Sequence, residues 1–139
     1  METAAKILVV AGMLHYVYSC VVGFALSKIR LRMGTSLGTP DTGTWLPLAH
    51  RVSLWWGFMF LGMPWALALS PLAPGVETLA AWLLVASSAL SDIEPLLNQW
   101  QGVKDPVAER SLTLYLGGIS VVLVTLGIAI LTVGVIRAL

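Results

Sequence analysis

Four stretches of the chain are apolar for about 20 residues or more, the length a helix needs to cross a bilayer. They cover about residues 6–27, 46–70, 76–100 and 110–136. In a chain of 139 residues this leaves only short connections, so consecutive helices run antiparallel. The sequence therefore predicts an all-α, integral membrane, antiparallel four-helix bundle forming a single domain. The apolar runs are continuous and do not alternate, which excludes a β-barrel. A chain 58% hydrophobic and 11% charged is not a soluble domain, and a net charge of +1 gives no basis for binding nucleic acid. The single cysteine, Cys20, has no intrachain partner and reads as a small buried hydrophobe. The first stretch contains His15, Tyr16 and Tyr18 and is too long for a signal peptide, so it is read as a helix.

Orientation follows from the basic residues. Lys28, Arg30, Arg32 and Arg51 flank loop 1, and Lys104 and Arg110 flank loop 3. Only Lys6 and Arg137 lie at the opposite face. Loops 1 and 3 are expected in the cytoplasm, with both termini outside, in a multi-pass protein of the cell (inner) membrane.

Polar residues inside such helices are costly and mark where function is to be sought. His50 and Arg51 lie just inside the second stretch, about 6 Å deep at 1.5 Å per residue. In the third, Ser87, Ser91, Glu94 and Asn98 share one face, flanked by Ser88, Asp92 and Gln99. Asp92 and Glu94 are expected ~9–12 Å from the same membrane edge, with Tyr115 of the fourth helix at a similar level. A polar stripe of this length must face protein or a wet cavity. Arg51 is the natural countercharge for Asp92 or Glu94, either as a structural ion pair or as part of a site. Pro64 is expected to kink the second helix, and Pro95 to interrupt the third and free the carbonyl of Ser91. Thr113, Ser120, Gly127 and Gly134 form a stripe of small residues that suits either packing within the chain or a subunit contact.

His50 has three readings: a satisfied interfacial histidine, a proton carrier, or a metal or heme ligand. His15 is expected ~14 Å out of level with it, which argues against a bis-histidine heme in one chain. His15 itself reads as a buried, hydrogen-bonded residue. No zinc-type cluster, phosphate loop or nucleophile elbow is present.

The run Gly38-Thr39-Pro40-Asp41, followed by Gly43, Trp45, Ala49-His50 and Gly57, resembles the styrene oxide isomerases. These are small four-helix membrane enzymes that use heme b as a Lewis acid to rearrange an epoxide to an aldehyde. Arg32-Met33-Gly34 with Ala49-His50 is also similar to the hydroxylaminobenzene mutases. The specific match lies within residues 32–57. The resemblance implies that His50 is the axial ligand of the heme iron and that the protein is a homo-oligomer, a trimer in that family. It departs at Trp56, where the isomerases carry asparagine, and in a third helix without tyrosine.

On this reading Arg30, Arg51 or Arg110 would meet the heme propionates. Asp92 or Glu94, with Tyr115, are candidate catalytic residues, stabilising the positive charge that develops as the epoxide opens. Trp55, Trp56, Ser91 and Asn98 are candidates to line a pocket for a hydrophobic small molecule. Two alternatives stand beside it. One keeps the fold but uses Asp92 or Glu94 as the acid of a mutase or membrane cyclase. The other is a small transporter or a membrane subunit of a larger complex.

Overall fold

The computed structural model describes residues 3–33 and 45–139. Four helices follow one another: α1 (Thr3–Met33), α2 (Leu46–Leu69), α3 (Pro74–Gln101) and α4 (Leu112–Ala138). All four are long and apolar enough to cross a membrane. The helical segments thus match the apolar stretches, with one difference that matters later. α1 continues six residues past Ser27, because the run Lys28 to Met33 consists mainly of straight-chain residues that favour helix. The part of loop 1 spanning residues 34–44 lies outside the described residues, and with it the Gly38-Thr39-Pro40-Asp41 motif and Gly43.

α1 packs mainly on α2, and α3 mainly on α4. The two hairpins join through α2 and α3, which each touch all three other helices, while α1 and α4 do not meet. Small side chains set the spacing. Ala4, Ala11, Ala80 and Ala81 are buried beside Leu8, Phe60, Leu84 and Leu131. In a membrane such contacts bind helices through close packing and interhelical hydrogen bonds.

Pro64 and Pro95 both lie inside continuous helices. The expected interruption at Pro95 is absent; the ring is buried and α3 runs through it. α3 ends at Gly102, whose φ of 69° is the left-handed conformation that glycine adopts without strain. The amide of Val103 then closes the turn on the carbonyl of Asn98 at 3.0 Å. Trp45 fastens the start of α2 to this end of α3. Its backbone amide donates to Gln99 Oε1 and its indole to the carbonyl of Val103, each at 2.7 Å.

The small-residue stripe of α4 is used within the chain. Thr113 donates to Asn98 Oδ1 at 2.6 Å, and Ser120 Oγ lies 2.9 Å from the hydroxyls of both Ser87 and Ser91. Gly127 sits against Leu84 and the carbonyl of Ala80, and Gly134 against Ser70 and Leu72. The subunit contact entertained for this stripe is therefore not available to it. Cys20, expected to be buried, is exposed on the outer face of α1.

Candidate functional site

Polar side chains meet at the seam between α1 and α2, and the pattern is reciprocal. Ser53 of α2 donates to the backbone carbonyl of His15 at 2.9 Å, with its hydroxyl 3.2 Å from His15 Nδ1. Ser19 of α1 donates to the carbonyl of His50 at 3.1 Å, with its hydroxyl 2.8 Å from His50 Nδ1. Each serine thus sits on the histidine of the other helix. The exchange is possible because His15 and Ser19 are four residues apart on one helix and His50 and Ser53 three apart on its antiparallel neighbour. Both pairs therefore fall on facing surfaces, one turn apart.

This places the two histidines about 5–6 Å apart along the seam, one helical turn, and corrects the ~14 Å offset expected from sequence. That offset counts depth from the end of the first apolar stretch. α1 continues past that point, so its residues cannot be levelled against the start of α2 in that way.

The two rings have different surroundings. His50 Nδ1 lies 2.9 Å from the carbonyl oxygen of Ser19. A carbonyl only accepts, so Nδ1 carries the proton and the neutral ring keeps its lone pair on Nε2. That nitrogen has no hydrogen-bond partner among the described residues. The ring is half-buried and lies against Gly23, where an added Cβ would stand 3.0 Å from Cε1.

His15 is buried and engaged on both nitrogens. Nδ1 is 2.7 Å from Asp92 Oδ2, and Nε2 is 2.9 Å from Ser88 Oγ. Phe60 packs beside the ring at a tilt of 52°, with centroids 5.5 Å apart. Tyr18 donates to the backbone carbonyl of Asp92 at 3.1 Å. Asp92 Oδ1 is buried and has no hydrogen-bond partner. Neither ring nitrogen of His15 is free to bind a metal, so a bis-histidine heme is ruled out by occupancy of the ring and not by level. Among the described residues no group of three histidine, cysteine or acidic side chains can hold a metal ion.

The polar face of α3 divides in two. Ser87, Ser91, Glu94 and Asn98 turn toward α4, where Glu94 lies against Gly117. Ser88, Asp92 and Gln99 turn toward α1 and the start of α2. Asp92 and Glu94 consequently do not converge, and the single layer expected from their depth is not formed. Residues 92 and 94 are about 200° apart around a helix, which no tilt can reconcile.

Other expected members of the site separate as well. Arg51 is exposed and pairs with neither acid; His15 takes the place at Asp92 that the sequence assigned to Arg51. Tyr115 is 60% exposed on the outer face of α4. Trp56 turns into the core against Phe60, while Trp55 lines an outer groove of about 270 Å3 with Arg51, Leu54 and Phe58. Ser91 and Asn98 belong to the α3–α4 seam, where they meet Ser120 and Thr113. Arg110 is exposed in loop 3, and the side chain of Arg30 lies outside the described residues.

His15, Ser19, Ser53, Ser88 and Gly23 were not singled out from sequence as site residues. The mirrored spacing of His15–Ser19 and His50–Ser53 on antiparallel neighbours was the signal that could have found four of their contacts. Comparison with known protein families, with curated proteins and with solved structures finds no match for the chain.

Proposed function

We propose that this chain is a membrane-embedded isomerase that binds heme b through His50 and rearranges a hydrophobic epoxide to a carbonyl compound without net redox change. The observation that supports it is the state of the His50 ring. Metal-bound histidines as a rule donate their second ring N–H to a carbonyl or carboxylate, which fixes the ring and raises its basicity. His50 does so through Nδ1 to the Ser19 carbonyl and leaves Nε2 without a partner among the described residues.

The donor set suits the cofactor. With both ring nitrogens of His15 engaged, His50 is the one imidazole left that would hold the iron. The groove of Arg51, Leu54, Trp55 and Phe58 begins at the next residue along α2 and opens to the outside of the bundle. Arg51 would meet a propionate there, and the aromatic side chains would cover an apolar face and exclude water. A groove open on this side leaves the rest of the cofactor to a second copy of the chain, which is the reason to expect a homo-oligomer. When bound, the iron supplies a Lewis acid that polarises the epoxide oxygen. Ser19 and Gly23 hold the His50 ring in place, and Leu54, Trp55 and Phe58 provide the apolar surface for the substrate.

The test is an absorption spectrum of the detergent-purified protein. A Soret band is expected in the wild type, lost in His50→Ala at unchanged helical content. A colourless wild type reconstituted with hemin, or a His50→Ala variant that keeps full heme, overturns the assignment.

A further inference from the structure

We propose that Arg51 of one copy of this chain pairs with Glu94 of the partner subunit, so that the α3–α4 face of the second copy closes over the outer groove of α2. The pairing specifies how the proposed homo-oligomer is built. It rests on two charges and not on heme.

Both charges lack a partner within the chain. Among the described residues the one ion pair is that of His15 with Asp92. Arg51 is exposed in the groove of Leu54, Trp55 and Phe58. Glu94 is half-buried on the flank of α3, against α4. Gly117 makes room for its carboxylate there, since a Cβ would stand 3.2 Å from Oε2.

The two charges are level. Ser53 of α2 donates to Asp92 Oδ2 of α3 at 3.3 Å, which ties the antiparallel helices at that point. Arg51 comes two residues before Ser53 and Glu94 two after Asp92, so both lie ~3 Å nearer the loop 1 edge. The bond from the Trp45 amide to Gln99 at 2.7 Å agrees. Counted from it, Arg51 is ~9 Å inward and Glu94 ~7.5 Å. In a bilayer that depth is close to or within the hydrocarbon, where charged side chains as a rule pair with one another.

The same spacing explains why they do not pair inside one chain. Two residues turn a helix by about 200°. Ser53 and Asp92 point at each other, so Arg51 and Glu94 point away from that contact, on opposite flanks of the bundle. Copies that stand the same way in a membrane can join only groups of equal depth, and these two meet that condition. A two-fold contact through the α2 groove would set Arg51 near Arg51, and one through the flank of α3 would set Glu94 near Glu94. The pairing is therefore head to tail, each copy giving a different face, which closes into a ring. The surroundings match. Leu90 and Leu97 share the face of Glu94 and would meet Leu54, Trp55 and Phe58 around the pair. The guanidinium has five N–H donors, enough for this carboxylate and for a propionate beside it.

The experiment is native mass spectrometry of the detergent-purified full chain across a dilution series, before and after addition of hemin. The wild type should be an oligomer in both. Arg51→Gln and Glu94→Gln should each raise the concentration at which it dissociates by ~5–30-fold, the range of polar contacts between membrane helices, and the two together no further. Arg51→Glu and Glu94→Arg should each yield monomers, and the double reversal should reassemble. Circular dichroism reads the helicity of every variant. The non-additivity of the two glutamine variants keeps the test decisive where a reversed charge prevents folding. A wild type that is monomeric throughout, glutamine variants that dissociate as the wild type does, or reversals that fold but stay monomeric in combination overturn the proposal. An oligomer that obeys the charge reversals yet takes up no hemin supports the pair and refutes the heme reading.

Discussion

Gly23 of α1 lies against the His50 imidazole so closely that a Cβ would stand 3.0 Å from Cε1 and 3.1 Å from Nδ1. Gly23→Ala must therefore push the ring and strain its bond to the Ser19 carbonyl. The expected result is heme occupancy reduced several-fold at unchanged helicity, read from the ratio of Soret to protein absorbance. Gly62→Ala, where a Cβ meets nothing within 4 Å, is the matched control and should bind as wild type.

Ser19→Ala separates the side chain from the main chain at the same place. The variant loses the hydroxyl beside His50 but keeps the carbonyl that accepts from Nδ1. Removing a whole supporting partner typically costs 10–100-fold in metal affinity. With the carbonyl retained, the loss should fall below ~10-fold in hemin titration. A complete loss of binding would mean that the hydroxyl, not the carbonyl, sets the ring.

The two acids of α3 should behave differently because they face different helices. Asp92 pairs with His15 in the buried network, whereas Glu94 lies on the α4 side beside Gly117. Removing one partner of a buried pair generally costs ~3–5 kcal/mol, less where the replacement keeps the shape. Asp92→Asn is expected to lower stability by ~1–3 kcal/mol, and Glu94→Gln by less than ~1 kcal/mol. In a double-mutant cycle, His15→Phe with Asp92→Leu should show a coupling of ~1–3 kcal/mol in reversible detergent unfolding. Additive effects would mean that the contact contributes nothing.

Gly127→Leu tests the seam of α3 and α4. Its Cβ would lie 2.7 Å from Leu84 Cγ and 3.2 Å from the carbonyl of Ala80, a backbone atom that cannot turn aside. Overfilling of this kind costs ~1–3 kcal/mol. The expected outcome is a lower unfolding temperature with no change in oligomeric mass by native mass spectrometry. Gly118→Leu, on the open side of the same helix, should leave both unchanged.

The four helices and the need to bury the polar stripe of α3 were legible in the sequence, because length and apolarity fix a spanning helix and charge is costly in hydrocarbon. The partners of that stripe were not. Ser87, Ser91, Glu94 and Asn98 were read as one face, and they do share one, but Asp92 was grouped with Glu94 because both are acids at similar depth. Rotation around the helix separates them, and depth alone does not carry that information. Depth likewise makes Arg51 the expected countercharge for Asp92, whereas α1, continuing past Ser27, brings His15 there instead. Trp56 and Tyr115 illustrate a further limit. Within helices apolar all round, sequence does not distinguish a tryptophan facing the core from one on the outer face of the bundle, as Trp56 and Trp55 do here.

The reciprocal bonding of His15 with Ser53 and of His50 with Ser19 also bears on how the first hairpin assembles. Two apolar helices can slide along each other at little cost, since one greasy contact replaces another. Here a slip of a single turn would strand two imidazoles and two hydroxyls together in an apolar seam between the helices. The contacts between α1 and α2 alone thus distinguish one register of this hairpin from its neighbours.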